Sequence, residues 1–310
     1  MKPLIIKTLL FIISLCYSVW LYAQNRNFEN LSFKLQKTKT GHYTFPLQLN
    51  ECVEANALIE SGVHAMLIDS AFAFNHLNKL NIELTPCQKE QINLGGKKYR
   101  ISHRAKIQMK LNKETYYKGE VFLLARFKHE YEVALPIQNL YHTNGKRCIL
   151  LNLSQSKLQV LDSCRASKTD WDILAMNTNT YLNMPAIRTE IRVKGEKYEA
   201  SLKGNFNLDL GNAAFLFLFE QSKAVQAFFS ENTSIELQKG YDKQGNVIAM
   251  AFVPQVLSID SATYNHPTIA ITKFLPKFTT EGTLGLKFFN QNEVIFDFDN
   301  NLFGIKKKVR

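Results

Sequence analysis

The stretch Phe206-Asn207-Leu208-Asp209-Leu210-Gly211 decides the fold, because the chain carries a second version of it in Ala57-Leu58-Ile59-Glu60-Ser61-Gly62. In each version, an apolar run typical of a strand ends on a carboxylate, and a glycine follows two residues later. The two acids, Glu60 and Asp209, are 209 − 60 = 149 residues apart, which is the size of one small domain. The simplest interpretation is a duplicated lobe that places the two carboxylates face to face.

Short segments rich in β-branched and aromatic residues dominate the chain. The predicted strands are 43–49, 55–59, 97–101, 105–111, 120–124, 187–193, 198–202, 247–253, 268–271 and 294–298. Helical spacing is confined to 70–80 and 221–229, and each piece follows one copy of the acid pattern. Phenylalanines alternate at 215, 217 and 219 along a further strand, where we expect them in the core. The sequence therefore predicts a mainly β protein in which the order of elements repeats.

A second pattern recurs near the end of each half. Cys148-Ile149-Leu150-Leu151 and Thr283-Leu284-Gly285-Leu286 are each followed by another apolar run. The segment 166–185 between the halves is mixed and has no clear periodicity, so we predict a linker there. This division gives an N-terminal lobe over 25–165 and a C-terminal lobe over 186–310.

Residues 1–24 have the pattern of a secretory signal peptide: a lysine-containing start, an apolar middle and a small residue, Ala23, at its end. We predict cleavage near Ala23 or Gln24 and an exported protein, either periplasmic or at the cell exterior. The apolar run is short for a membrane-spanning helix. An uncleaved N-terminal segment is therefore the only membrane contact that we expect.

The net charge of +11 is scattered along the chain and no nucleic-acid motif accompanies it, so no nucleic-acid partner is expected. Metal-binding spacings such as C-x-x-C and H-E-x-x-H do not occur, nor does a glycine-rich phosphate loop, and we expect neither a metal nor a cofactor. Four cysteines follow the signal segment: Cys52, Cys87, Cys148 and Cys164. They allow three disulfide connectivities, among which the sequence does not choose, and buried free thiols are the alternative.

These motifs resemble those of the pepsin and retropepsin superfamily, in which each lobe offers an Asp-Thr/Ser-Gly loop and later two apolar residues with a glycine. The chain is most similar to bacterial exported proteins described as aspartyl-protease-like, particularly over 282–289 and 294–300. The resemblance covers about 40–305 and implies a two-lobe acid-protease fold, mainly β with short helices.

The chemistry of this family needs two acids, because one draws a proton from a bridging water while the other donates to the peptide carbonyl. The resemblance implies that Asp209 and Glu60 occupy the two catalytic positions. It also assigns supporting roles in the acid loops and in the later apolar-glycine element to Ser61, Gly62, Gly211, Leu284 and Gly285. The hairpin 92–99, turning at Gly95-Gly96, is a candidate for the flap over a peptide, or else a plain exposed hairpin.

Three departures from the family pattern weaken the prediction of activity. Glu60 has an extra methylene that moves its carboxylate by about 1 Å, and a misplacement of that size can cost ~100-fold in rate. Leu210 cannot make the hydrogen bond of a Thr or Ser, and Leu151 replaces the glycine expected in the first lobe.

We therefore predict an impaired, pseudoenzyme-like protein that binds a peptide or protein segment in the cleft between its lobes. It should be a monomer, because one chain supplies both acids. One alternative is an active aspartic endopeptidase, a hydrolase that uses a water activated by Glu60 and Asp209. Another is a structural envelope protein.

Overall fold

The chain folds into two lobes built mostly from strands. The structure is a computed structural model that describes residues 32–94, 97–127, 129–164, 166–178, 183–272 and 279–307. The predicted signal peptide, 1–24, and the predicted hairpin turn at Gly95 and Gly96 lie outside the described residues.

The first lobe contains thirteen strands in its described part. They are β1 Ser32–Lys34, β2 Gln36–Lys37, β3 Tyr43–Leu49, β4 Val53–Glu60, β5 Met66–Asp69, β6 Thr85–Pro86, β7 Gln91–Leu94, β8 Lys97–Lys110, β9 Thr115–Leu124, β10 Val133–Pro136, β11 Leu140–His142, β12 Cys148–Asn152 and β13 Lys157–Leu161. Its helices are α1 Ser70–Asn75 and α2 Leu77–Leu80, with a 3-10 turn at Ile137–Asn139. The Asp69 carboxylate caps α1 by accepting the backbone N–H of Phe72 at 3.1 Å.

The second lobe contains twelve strands in its described part. They are β14 Trp171–Thr178, β15 Pro185–Lys194, β16 Glu199–Leu208, β17 Leu216–Phe219, β18 Gln238–Tyr241, β19 Val247–Phe252, β20 Val256–Ile259, β21 Ala262–Asn265, β22 Ile269–Thr272, β23 Gly282–Leu284, β24 Glu293–Asp297 and β25 Leu302–Lys306. Its helices are α3 Lys223–Glu231 and α4 Leu286–Phe289.

Two sheets carry these strands. A ten-stranded sheet has the order β2-β3-β4-β10-β5-β9-β8-β6, with β11 and β7 added at β9 and β8. A fifteen-stranded sheet runs from β1, β13 and β12 of the first lobe through β24 and β25 to the remaining strands of the second. Because β12 pairs with β24, from Cys148 opposite Asp297 to Asn152 opposite Glu293, the two lobes are joined by a continuous sheet.

The order of elements repeats between the lobes, as the sequence predicts. β10 runs parallel to β4 and antiparallel to β5, and β5 runs parallel to β9. In the second lobe, β23 runs parallel to β16 and antiparallel to β17, and β17 runs parallel to β22. The two acids lie at the ends of equivalent strands, since Glu60 is the last residue of β4 and Asp209 directly follows β16.

The segment 166–185, for which the sequence predicts a linker, contains the strand β14. This strand pairs with β25, from Trp171 opposite Lys306 to Ala175 opposite Leu302, and its end pairs with β15. Alternate residues of β14 face inward, but one of them is the buried carboxylate Asp172. A charged residue at an inward position hides the apolar alternation by which a strand is recognised.

One disulfide lies in the first lobe, joining Cys148 of β12 to Cys164 with a Cα–Cα distance of 5.7 Å. Cys52 is an exposed free thiol and Cys87 a buried one. The structure thus selects a single bridge from the possibilities that the sequence leaves open. Among the helices in the described ranges, none is long and apolar enough to cross a membrane.

Candidate active site

The structure brings the carboxyl groups of Glu60 and Asp209 together where the two acid loops meet. A Cβ atom on Gly62 would lie 2.7 Å from Oδ1 of Asp209, and one on Gly211 would lie 2.8 Å from Cδ of Glu60. Each glycine therefore lets the acid of the opposite loop approach its backbone, and a larger residue would push that acid away.

Backbone N–H groups hold both carboxyl groups. Oε1 of Glu60 accepts hydrogen bonds from the N–H of Ser61 at 2.9 Å and of Gly62 at 2.8 Å. Oδ1 of Asp209 accepts one from the N–H of Gly211 at 2.9 Å. A Cβ on Gly211 would also overlap Oε2 of Glu60, so the Glu60 carboxyl group packs against the opposite loop. The extra methylene of glutamate is accommodated because Gly211 has no side chain.

The hydroxyl of Ser61 ties the two acid loops to each other. Its Oγ donates to the carbonyl of Leu208 at 2.8 Å and accepts the N–H of Leu210 at 2.9 Å. In the second loop the equivalent residue is Leu210, whose side chain is buried in the core. It has no hydroxyl with which to hydrogen-bond the first acid loop. The Ser61 hydroxyl thus bonds to the backbone of the opposite loop and not to a carboxylate, and in the second loop apolar packing of Leu210 takes its place.

Leu284 and Gly285 lie directly beneath the second acid loop. The Leu284 carbonyl accepts the N–H of Asp209 at 2.9 Å, and a Cβ on Gly285 would lie 2.5 Å from the carbonyl oxygens of Asn212 and Ala214. Only glycine permits this approach without a backbone shift.

In the first lobe the structure corrects the predicted position of the apolar-glycine element. Leu151 belongs to β12 and lies opposite Val294 of β24, away from the first acid loop. The strand beside Glu60 is β10, where Pro136 lies opposite Glu60. The prediction for Leu151 is wrong because the first-lobe copy of the element has lost its glycine, so nothing in 133–136 marks the equivalence.

Gln138, which the sequence analysis missed, fastens the first acid loop. Its amide nitrogen donates to the carbonyls of Val63 at 2.6 Å and Ser61 at 3.3 Å, and its side chain is buried. The only sequence signal is a polar residue among the apolar residues of 133–140, which is too weak to assign a role.

Burial raises the pKa of both carboxyl groups of the pair. For Asp209, burial and then the adjacent charge of Glu60 raise the pKa to about 8. For Glu60, burial raises the pKa, while the N–H groups of Gly62 and Ser61 oppose the rise. Because the two buried carboxyl groups are adjacent, they titrate as a coupled pair, and the raised pKa of Asp209 keeps a proton on that side chain near neutral pH.

A pocket of about 180 Å³ opens beside Asp209 on the second lobe. The residues that line it with Asp209 are Met184, Asn212, Phe217, Phe219, Thr272 and Thr283. Phe217 and Phe219 lie on the pocket side of β17, whereas Leu216 and Leu218 point into the core. Of the three phenylalanines predicted as core, Phe215 and Phe219 are buried and Phe217 is half-buried, and Phe217 and Phe219 line the pocket.

The hairpin predicted as a flap forms between β7 and β8, with Ile92 opposite Tyr99. An aromatic cluster of Tyr99, Phe127, His129 and Tyr131 lies below it. The Tyr99 hydroxyl is 3.2 Å from Nε2 of His129, whose ring stacks on Tyr131 at 4.9 Å. Burial, and then the charge of Glu60, raise the pKa of Tyr131.

Another residue missed by the sequence analysis is His42, just before β3. Its Nε2 lies 3.0 Å from the carbonyl oxygen of Gly211 in the second acid loop. A lone histidine near a strand start carries no sequence signal for this contact. In the described segments, no group of three or more His, Cys, Asp or Glu side chains could hold a metal ion.

Comparison with known proteins supports the fold. No family model matches the sequence, and no curated protein matches it. Among solved structures, the chain is similar to basic 7S globulin from soybean, with 10% identity, a TM-score of 0.53, and coverage of 89% of this chain and 94% of that chain. The chain thus has a mainly β, two-lobe pepsin-like fold, which confirms the predicted fold class.

Proposed function

We propose that this protein binds an extended peptide segment in the cleft between its lobes and that its Glu60/Asp209 pair is impaired as a hydrolase. The observation that carries the proposal is the burial of Glu60, whose carboxyl group accepts the N–H groups of Ser61 and Gly62 in its own loop. Asp209, by contrast, lines the open pocket.

The impairment follows from the roles that the two acids would need. With Asp209 protonated, Glu60 would be the base that takes a proton from the attacking water. Glu60 is 9% exposed, and its carboxyl group accepts the N–H groups of Ser61 and Gly62. A buried base that already accepts two backbone hydrogen bonds is poorly placed to orient a water.

Peptide binding is supported by the features around Asp209 that do not depend on hydrolysis. The pocket presents Phe217, Phe219 and Met184 to an apolar side chain, and protonated Asp209 offers a hydrogen-bond donor beside them. On the other side, the β7–β8 hairpin presents the exposed side chains of Lys97 and Lys98. Such a cleft fits an uncharged or acidic peptide with an apolar residue at the pocket.

The second candidate function is an aspartic endopeptidase that uses the same pair. The observation that favours it is that the two carboxyl groups remain in contact and share one proton, which is the arrangement that acid–base hydrolysis of a peptide requires.

We also infer that the protein is exported and monomeric. The Cys148–Cys164 disulfide supports export, because such bridges persist in oxidising compartments. One chain supplies both acids, so assembly of the pair needs no partner. N-terminal sequencing of the protein from fractionated cells, and its mass in solution by light scattering, test these two inferences.

The test of function is an assay of binding and cleavage on one peptide library, from about pH 3 to 8, by protein that begins at Asn25. The variants are Asp209→Ala and Glu60→Asp, with Asp242→Ala in an exposed turn as the control. We expect the parent to bind without cleaving and Glu60→Asp to gain cleavage. Cleavage by the parent that is lost in Asp209→Ala would instead establish the endopeptidase. Absence of binding in every variant would contradict the peptide proposal.

A further inference from the structure

His42 holds the second acid loop from the first lobe. A carbonyl oxygen only accepts hydrogen bonds, so Nε2 of His42 must carry the proton that it shares with Gly211 at 3.0 Å. The N–H of the same Gly211 donates to Oδ1 of Asp209. A shift of Gly211 therefore moves a donor that fixes the orientation of the Asp209 carboxyl group.

The imidazole of His42 is itself held in place. Gly41 has φ +88°, a left-handed conformation that suits glycine, and it closes a turn in which the N–H of Thr38 donates to the His42 carbonyl at 2.8 Å. The hydroxyl of Thr40 lies 3.1 Å from Nδ1 of His42, so both ring nitrogens have partners. The ring orientation is thus set by the turn and by Gly211 together.

The strand register identifies the residue equivalent to His42 in the second lobe. Thr44 of β3 lies opposite Leu58, two residues before Glu60, and Ala186 of β15 lies opposite Asn207, two residues before Asp209. Thr44 and Ala186 are therefore equivalent positions. His42 and Met184, each two residues earlier in the chain, are equivalent as well. Methionine has no N–H or O–H to donate, and Met184 lines the apolar pocket.

The two lobes therefore contribute unequally to the acid loops. The side chains of Ser61 and His42 reach from the first lobe to the second acid loop, at Leu208, Leu210 and Gly211. The equivalent second-lobe residues are Leu210 and Met184, and neither side chain can donate a hydrogen bond.

We propose that His42 is a positioning residue for Asp209, and that its N–H bond to Gly211 compensates for the hydroxyl that Leu210 lacks. The inference concerns how Asp209 is placed, and it holds whether the pair cleaves a peptide or only binds one. The N–H of Gly211 that His42 helps to hold lowers the pKa of Asp209, so loosening Gly211 should raise that pKa.

The experiment measures the melting temperature and the titration of the Asp209 carboxyl group by ¹³C NMR. The variants are His42→Met, which copies the second lobe, and His42→Gln, which keeps an N–H donor, each with and without Leu210→Thr. The control is His142→Met, because His142 contacts Glu114 of its own lobe at 3.5 Å.

We expect His42→Met to lower Tm by roughly 2 to 4 °C, the effect of one buried hydrogen bond in a protein of this size. We also expect it to raise the Asp209 titration midpoint, which His142→Met should leave unchanged. His42→Gln should recover most of the loss in Tm, and Leu210→Thr should reduce the loss caused by His42→Met by half or more. Equal losses in His42→Met and His42→Gln, no reduction of the loss by Leu210→Thr, or an unchanged Asp209 midpoint would overturn the proposal.

Discussion

Pro136 lies beside Glu60 in the parallel pairing of β10 with β4, in the place that Gly285 takes beside Asp209 in the second lobe. Gly285 lets the carbonyls of Asn212 and Ala214 pack directly against the chain. Beside the first acid loop, the Gln138 amide provides hydrogen bonds to the loop carbonyls instead. The two acid loops are thus supported by different chemistry on equivalent strands.

Replacement of Gln138 should therefore loosen the first acid loop. Gln138→Met removes two hydrogen bonds to buried carbonyls, and we expect a loss of about 2 kcal/mol in the free energy of unfolding. Denaturant titration measures this loss, with Gln108→Met on the exposed side of β8 as the control. If the two variants lose equal stability, Gln138 does not fasten the loop.

A side chain at Gly211 should disrupt the acid pair. In Gly211→Ala the new Cβ would overlap Oε2 of Glu60 and displace its carboxyl group, so we expect a loss of about 2 kcal/mol in stability. In a Glu60→Ala background the same change should cost much less, because the overlapping group is gone. Gly240→Ala is the control, since its Cβ would lie 3.5 Å from that of Ala249, an ordinary contact. Equal costs of Gly211→Ala in the two backgrounds would show that Glu60 does not pack on Gly211.

The raised pKa of Asp209 should make the protein less stable as pH rises. Between about pH 4 and 8 the unfolded chain loses the Asp209 proton while the folded chain keeps it, so the free energy of unfolding falls across this window. The asparagine of Asp209→Asn does not titrate, so the free energy of unfolding of this variant should not fall across the window. We expect the variant to match the parent near pH 4 and to exceed it by about 2 kcal/mol or more at pH 8.

Thermal unfolding across that pH range measures the difference. Asp242→Asn is the control with the opposite sign, because hydrogen bonds from Asn246 lower the pKa of Asp242, so its contribution to stability is lost as pH falls. A parallel pH dependence in the parent and Asp209→Asn would contradict the raised pKa of Asp209.

The disulfide of the first lobe should stabilise the fold by restricting the unfolded chain. The bridge spans 16 residues of sequence. In the chain-entropy description, a disulfide that closes a loop of this length stabilises the folded state by about 3 kcal/mol. We expect Cys148→Ala with Cys164→Ala to lower the free energy of unfolding by roughly that amount. Cys52→Ala, at an exposed free thiol, should be nearly neutral. Insensitivity of the parent to reduction would show that the bridge does not contribute.

The sequence was sufficient for the fold because the repeated features are local. The apolar run that ends on Glu60 lies in β4, and the run before Asp209 forms the end of β16. Most predicted strands agree with the structure within a few residues. The glycines at 62 and 211 could be assigned to the acid loops for the same reason, since spacing from the acid is visible in the chain.

The parts of the site that could not be predicted depend on contacts between distant segments. His42 meets Gly211 across 169 residues, and Gln138 meets Val63 across 75. Pro136 occupies the first-lobe position equivalent to Gly285, and because it is not a glycine, the pattern predicted the element at Leu151 instead. Single residues with long-range partners have no periodicity or spacing by which they could be recognised.

The most direct test of the shared-proton pair is a ¹³C NMR titration of the Glu60 and Asp209 carboxyl groups in the parent and in Glu60→Gln. We expect Asp209 to titrate at about pH 8 in the parent. Its midpoint should fall in Glu60→Gln, because the neighbouring negative charge is removed. An Asp209 midpoint near 4 in the parent that does not move in Glu60→Gln would show that the two acids do not form a pair.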